Sequence, residues 1–265
     1  MGASAARRLK RGRLPRPVYP RNAERSYESI YRSIFQLIYR KFQEDLFNSL
    51  PWFSSRFDSS EIYYDGFSDL VIDAIRKIIE AIKPSINFDI EIRNIAQNIN
   101  IINAREWSKT VKAGMGIDVF QIEPWAKDAI ESFVAENVSL IKSIPENFLR
   151  EVEGLLIREI RNGTRVEGIA ALIRERFSVS QKKALLIARD QVGKFNGSLA
   201  KKRQESAGVT RYIWRTVQDE RVRPKHKAQN GKEYSWDKPP PTGHPGQDYS
   251  CRCYAEPVFD LGEET

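Results

Sequence analysis

Hydrophobic residues recur at helical spacing along most of the first 207 positions of the chain. After Ser26, six of them fall three or four residues apart and mark one face of a helix: Tyr27, Ile30, Tyr31, Ile34, Ile38 and Phe42. Isoleucine-rich stripes predict two further helices, one ending near Pro84 and one ending near Gly114. Stripes of this kind are more typical of a core-facing surface than of a binding surface, so we assign them to the core.

The middle of the chain predicts further helices with interruptions between them. A fourth helix is expected over 124–142, because proline at position 124 costs least in a first turn. Ser143 and Thr164 each precede a glutamate by three residues, the spacing of a capping box, so each predicts a new helix start. A long helix is then expected over about 180–207.

At Gly208 the composition changes to one rich in glycine, proline and asparagine. Aromatic and β-branched residues over 212–217 predict a short strand, and the segments after it predict loops. The expected fold class is therefore α+β, a predominantly α-helical body with a small, loop-rich, β-containing C-terminal module. The predicted organisation is a disordered basic arm (1–25), an N-terminal helical region (26–116), a C-terminal domain (117–257, with helices to about 207 and the β/loop module over 208–257) and a tail (258–265).

Net charge is concentrated at the N-terminus. The 265 residues carry a formal net charge of +8, of which +7 lies in residues 1–25, where eight arginines or lysines face one acid. Such an arm attracts polyanions, nucleic acid above all, and a disordered solubilising tail is the alternative. Three prolines argue against the amphipathic helix of an organelle-targeting peptide. The predicted DNA-binding residues are Arg7, Arg8, Lys10, Arg11, Arg13 and Arg16.

Every histidine and cysteine of the chain lies between His226 and Cys253. Imidazole and thiolate are the ligands of tetrahedral zinc sites, and residues 251 and 253 of an extended segment point to the same face. The hypothesis is a structural zinc site made of His226, His244, Cys251 and Cys253, with no other cofactor. The alternative is that the cysteines pack in the core and the histidines anchor loops, and the C-x-C spacing favours this alternative.

Bulk properties exclude several other classes of protein. No window approaches the roughly 18 consecutive apolar residues of a membrane span. Two cysteines one residue apart form no disulfide framework, which indicates a soluble protein in a reducing cytoplasm. The charged run 219–226 is either a turn with weak salt bridges or a site where Arg221, Arg223 and Lys225 bind phosphate or an acidic protein surface, and the residues alone favour the turn.

An ordered series of short motifs over about 137–257 resembles a known family. It includes 187–191 (IARDQ), 214–216 (WRT) and 251–253 (CRC), none of which is specific alone. The motif residues are Arg189, Asp190, Gln191, Asn196, Trp214, Asp219, Arg221, Arg223 and His226. The series resembles the Mu F-like phage head morphogenesis domain, also described as the phage minor head protein family. It departs from the family pattern where residues 246–250 separate His-Pro from Cys-Arg-Cys, which loosens any link between His244 and the cysteines.

The resemblance implies a low-copy minor head protein of a tailed bacteriophage. Such a protein is a binding protein and not an enzyme. Its implied partners are the portal protein, capsid or scaffold proteins and double-stranded DNA, during assembly, packaging or ejection, with no membrane. The implied location is the virion, in the capsid interior or at the portal vertex, and the host cytoplasm during assembly. Domains of this family also carry toxin domains in bacteria, and the end of this chain at Thr265 leaves no room for one.

Two other classes of function stay open. A metal-dependent nuclease would use His226 with Asp219, Asp237 and Asp248, although their spacing matches no recognised motif and two histidines are few for both a metal site and a general base. A nucleic-acid-binding protein unrelated to phages would explain the basic arm but not the motif series. The sequence contains no phosphate-binding glycine loop and no nucleophile elbow.

Overall fold

The computed structural model describes residues 14–47, 64–119, 123–164 and 166–259. Helices dominate these ranges, and a small three-stranded antiparallel sheet lies near the C-terminus, which confirms the predicted α+β class. The helices are α1 (Arg21–Lys41), α2 (Tyr64–Ile82), α3 (Asp89–Met115), α4 (Trp125–Arg161), α5 (Val166–Ser206) and α6 (Pro224–Lys227). A π-helical segment (Phe42–Phe47) follows α1, and a 3-10 turn (Lys83–Ser85) follows α2. Among the described helices, none has the length and apolar content that a membrane crossing needs.

The predicted apolar stripes face the core. All six residues of the first stripe are buried, five of them in α1 and Phe42 in the π-helical segment. Helix α1 begins at Arg21, a turn and a half before the predicted start. Buried isoleucines line α2 and α3 in the same way: Ile75, Ile78, Ile82, Ile92, Ile95 and Ile99. Helical periodicity therefore identified the buried faces of the first three helices.

Two predicted interruptions in the later helices are wrong. Helix α4 runs through Pro145, and α5 is a single helix of 41 residues that contains the predicted start of the long helix near 180. Ser143 does not cap a new helix, because its hydroxyl donates to the carbonyl of Leu140 at 2.8 Å inside α4. Proline within a helix costs about 3 kcal/mol. The buried Phe148 and Val152 anchor the next turns in the core and keep the helix continuous.

The chain forms two compact units, each built from separate stretches. The C-terminal unit comprises the described residues of Met1–Glu24, Asn94–Phe133 and Arg189–Thr265. The helical unit comprises the described residues of Arg25–Arg93 and Val134–Ala188. The domains predicted from the sequence were continuous ranges, whereas each unit combines stretches that are distant in the chain. The predicted domain limits remain predictions.

Aromatic rings form the core of the helical unit. Phe177 of α5 packs against Phe148 of α4 at 4.5 Å between ring centroids and against Phe35 of α1 at 6.4 Å. The hydroxyl of Tyr27 donates to Asn137 at 2.5 Å, which satisfies a fully buried amide. Residues from three helices thus close one core.

The sheet lies in the C-terminal unit with strand order β2-β1-β3, where β1 is Arg211–Arg215, β2 is Glu233–Ser235 and β3 is Tyr254–Pro257. Both pairings are antiparallel. Tyr212 and Trp214 of β1 are fully buried, while their neighbours along the strand are half-buried. The predicted strand over 212–217 is therefore present as the central strand, although it begins one residue earlier and ends two residues earlier than predicted.

Part of the predicted disordered arm is ordered. Residues 14–20 are extended, and the backbone N–H of Val18 donates to the carboxylate of Glu106 at 3.0 Å. Glu24 pairs with Arg189 of α5 at 2.9 Å. Disorder over the whole of 1–25 is thus corrected for residues 14–25, because 14–20 are held by such contacts and 21–25 form the first turns of α1. Residues 1–13 lie outside the described residues.

Candidate metal centre

Three of the four predicted zinc ligands converge in the C-terminal unit. Nδ1 of His226 lies 3.5 Å from the sulfur of Cys251 and 3.5 Å from the sulfur of Cys253. All three residues are buried, and within the described ranges they form the one cluster of three or more potential ligand side chains. Tetrahedral zinc, with Zn–S of about 2.3 Å and Zn–N of about 2.0 Å, requires N···S separations of about 3.5 Å. The spacing of the three donor atoms therefore fits a zinc ion.

Short elements around the sheet hold these ligands. His226 lies on α6, which begins with Pro224, a residue whose fixed φ suits a first helical position. The two cysteines come just before β3 and share a buried cluster with Trp214 of β1. The Trp214 ring meets the His226 ring edge to face at 5.5 Å. The indole N–H of Trp214 favours the thiolate of Cys253 and so partly offsets the rise in the pKa of this thiol.

Asp248 fixes the other side of the His226 ring. Its Oδ2 lies 2.9 Å from Nε2 of His226, so the proton of a neutral imidazole belongs on Nε2, and the lone pair of Nδ1 faces the sulfurs. Arg223 and Lys225 bind the same carboxylate. Burial raises the pKa of Asp248, but the hydrogen bonds from His226 and Lys225 outweigh burial and bring this pKa down to about 2. Asp248 is thus a carboxylate at neutral pH.

The two thiols influence each other strongly. A hydrogen bond from Cys253 lowers the pKa of Cys251, and the same hydrogen bond, together with burial, raises the pKa of Cys253. Of the two thiols, that of Cys251 is therefore the more readily deprotonated. A metal ion bound here would deprotonate both thiols, because coordination stabilises the thiolate form.

His244, the fourth predicted ligand, lies outside this cluster. Its Nδ1 is 2.9 Å from the hydroxyl of Tyr212, and the ring also hydrogen-bonds to the backbone of Trp236. Burial, and then the positive charge of Lys201, lower the pKa of His244. The bond to Tyr212 lets His244 anchor the loop to the sheet, as the alternative interpretation of the histidines expected.

Helix α5 supports the loop that leads to the cysteines. A Cβ at Gly197 would lie 2.9 Å from the carbonyl oxygen of Pro245, and one at Gly193 would lie 3.1 Å from that of Cys251. The helix and the loop backbone therefore touch where the helix has no side chain. One turn earlier, Asp190 accepts the backbone N–H of Ser250 at 2.8 Å.

The other motif residues make structural contacts in the same unit. Asp219 pairs with Arg252, accepts the backbone N–H of Arg221, and so closes a turn, as favoured for the charged run. Asn196 accepts hydrogen bonds from Asn103 of α3. Gln191 is half-buried on α5. Of the charged-run residues proposed to meet phosphate, Arg221 is exposed and Lys225 is more than half exposed, while Arg223 is engaged with Asp248.

The predicted DNA-binding residues fall in two groups. Arg16 is exposed in the extended segment 14–20. The other five, Arg7, Arg8, Lys10, Arg11 and Arg13, lie outside the described residues.

Several site residues were missed at the level of sequence. Gly193 and Gly197 are four residues apart on a predicted helix, a spacing that signals close backbone approach and could have been noticed. Arg203 is fully buried and pairs with Glu123 at 2.6 Å, with further hydrogen bonds to two asparagines of α3. Sequence offers no signal for a buried arginine, because its long stem and charge are typical of exposed positions.

The chain is similar to one known protein family and to one curated protein. Residues 150–256 match the family described as Phage Mu protein F like protein, which confirms the resemblance inferred from the motif series. An uncharacterized protein of Haemophilus influenzae is 32% identical over 207 residues, which cover 75% of this chain and 46% of that protein. The chain thus spans less than half the length of that relative. No solved structure matches the chain.

Proposed function

We propose that the protein is a minor head protein that takes part in head morphogenesis of a tailed bacteriophage. The observation that carries the proposal is the family match over 150–256, a range that includes the three-residue metal cluster and the supporting helix α5. In this role the protein binds the portal protein and capsid or scaffold proteins and is retained in the virion, in the capsid interior or at the portal vertex.

Disruption of the gene in the phage or prophage that encodes the chain tests this role. Without the protein, heads should form in lower number or package less DNA. In the wild type, the protein should be found in purified heads by mass spectrometry. Normal heads of full DNA content from the disrupted gene, together with absence of the protein from wild-type heads, would refute the proposal.

A binding role is favoured over the nuclease alternative by the contacts of the candidate catalytic groups. His226 is engaged with Asp248 and the sulfurs, and Asp219 is paired with Arg252. Asp237 is exposed and bonds Ser235, so the three aspartates share no site within the described residues. Plasmid DNA incubated with the protein and magnesium or manganese should stay intact. Cleavage that disappears in a His226→Ala variant would support a nuclease instead.

We propose that the basic arm binds double-stranded DNA. We assume that each of the six predicted basic residues contacts one phosphate. A plot of the logarithm of the binding constant against the logarithm of the salt concentration should then have a slope of about −5. Deleting residues 1–13 removes five of these residues and should leave a slope of about −1. Arg16→Gln should reduce the slope by about 1, whereas Arg150→Gln, an exposed charge on α4, should leave it unchanged. Fluorescence anisotropy with a labelled duplex measures this, and an unchanged slope after the deletion contradicts the role of the arm.

We propose that the metal of the His226, Cys251 and Cys253 cluster is a structural zinc ion. Such an ion would tie α6 to the segment before β3, in a module whose three short strands offer a limited core. Elemental analysis of the purified chain should find one zinc per molecule, and a chelator should lower its melting temperature. A chain that holds no zinc after reconstitution under reducing conditions would refute this assignment.

A further inference from the structure

We infer that Asp248 is a positioning residue that aims Nδ1 of His226 at the metal, in a site where the protein supplies three ligands and a small molecule such as water takes the fourth position. This inference rests on the zinc site proposed above. It concerns two properties of the site. The first is which ring nitrogen of His226 binds the metal, and the second is how many ligands the protein supplies.

The first property follows from the hydrogen bonds on the far side of the ring. A metal-binding histidine generally donates its other ring N–H to a carboxylate, which fixes the tautomer and strengthens the ligand. Here Oδ2 of Asp248 lies 2.9 Å from Nε2, while Nδ1 faces both sulfurs. The arrangement is that of a carboxylate behind a ligand histidine.

Asp248 is itself held in place and is not free to bind the metal. Its Oδ1 accepts the backbone N–H of Tyr249 at 2.8 Å, and its Oδ2 meets Lys225 at 3.2 Å as well as the guanidinium of Arg223. Both carboxylate oxygens therefore have partners other than a metal. A carboxylate restrained on both oxygens transmits its position to the imidazole.

The second property follows from the groups around the cluster. Within the described ranges no fourth histidine, cysteine, aspartate or glutamate joins the three ligands. His244 does not belong to the cluster, and its Nδ1 is engaged with the hydroxyl of Tyr212 at 2.9 Å. Zinc takes four ligands in a tetrahedron, so three protein ligands leave one position for water, even where the ion serves to tie α6 to the segment before β3.

The test compares zinc affinity across full-length variants, measured by competition with a chromophoric chelator under reducing conditions. Asp248→Ala should bind zinc 10- to 100-fold more weakly than the wild type, about the effect of losing an outer-shell carboxylate. Asp237→Ala is the matched control, because it removes an exposed aspartate that bonds Ser235 and not His226, and its affinity should change less than about threefold. Circular dichroism of the metal-free proteins confirms that the variants retain their helices.

X-ray absorption spectroscopy of the zinc-loaded wild type counts the ligands independently. Two sulfurs, one imidazole nitrogen and one further light atom are expected, and His244→Ala should retain one zinc per chain. Two imidazole nitrogens, or loss of zinc from a folded His244→Ala variant, would overturn the three-ligand site. Equal zinc affinity of Asp248→Ala and the wild type would overturn the positioning role. A wild type without zinc is the separate outcome that removes the proposed metal itself.

Discussion

Replacing Gly197 with alanine tests the close contact between α5 and the loop that carries the cysteines. The added Cβ would lie 2.9 Å from the carbonyl oxygen of Pro245 and 3.2 Å from Cα of Gly246. Both are backbone atoms, so neither can move aside by a side-chain rotation, and the loop itself must shift. Overpacking of this kind typically costs about 1–3 kcal/mol of folding free energy.

Gly154→Ala provides a matched control for the helical effect of the substitution. Gly154 lies within α4, and a Cβ there would meet no other atom within 4 Å. Alanine favours a helix over glycine by about 0.8–1.0 kcal/mol, a gain that both variants share. Gly154→Ala should therefore be more stable than the wild type, and Gly197→Ala should fall about 1–3 kcal/mol below Gly154→Ala.

Urea denaturation followed by tryptophan fluorescence and circular dichroism measures both free energies. Because the shifted loop leads to Cys251, Gly197→Ala should also weaken zinc binding, whereas Gly154→Ala should not. Equal stabilisation of the two variants, with zinc affinity unchanged in both, would show that the loop does not pack on the helix as described.

Two further variants probe buried charges of the C-terminal unit, with urea denaturation as the measurement. Arg203→Met leaves Glu123 without its buried partner and should cost about 3–5 kcal/mol, and a neutral effect would show that the pair is dispensable. Asp190→Ala removes the acceptor of the Ser250 backbone N–H and should cost about 1–3 kcal/mol. Lys194→Ala, which removes only the half-exposed ion-pair partner of Asp190, should cost at most about 1 kcal/mol, and equal losses in the two variants would contradict this assignment.

The buried faces of the first helices were predictable because one local rule decides them. A residue such as Ile34 is buried if its neighbours three and four positions away are also apolar, and that information is present in the sequence. Helix ends were predicted less well, because they depend on more than local signals. The helix end expected at 142 and the new start expected at Ser143 were both overridden by the core packing of the residues that follow.

The metal cluster was predictable in part for a similar reason. Cys251 and Cys253 are two residues apart, so an extended backbone places them on one face whatever the rest of the fold does. Whether His226 or His244 lies beside the cysteines depends on contacts between residues that are distant in the sequence. Tyr212 of β1 engages His244 across 32 positions of sequence, and no local pattern encodes that contact.

The motif residues are distant in the sequence because helix α5 supports the segment that carries the cysteines. Asp190, Gly193 and Gly197 lie on successive turns of α5, and each meets the backbone between Pro245 and Cys251. Residues about 60 positions apart thus form one structural unit in which the helix positions the cysteines. The cluster is buried, so a metal there acts on the stability of this unit. If the proposed function holds, contacts with portal, shell or DNA would use exposed groups, and the exposed Arg16 and Arg221 are the first positions to substitute in binding assays.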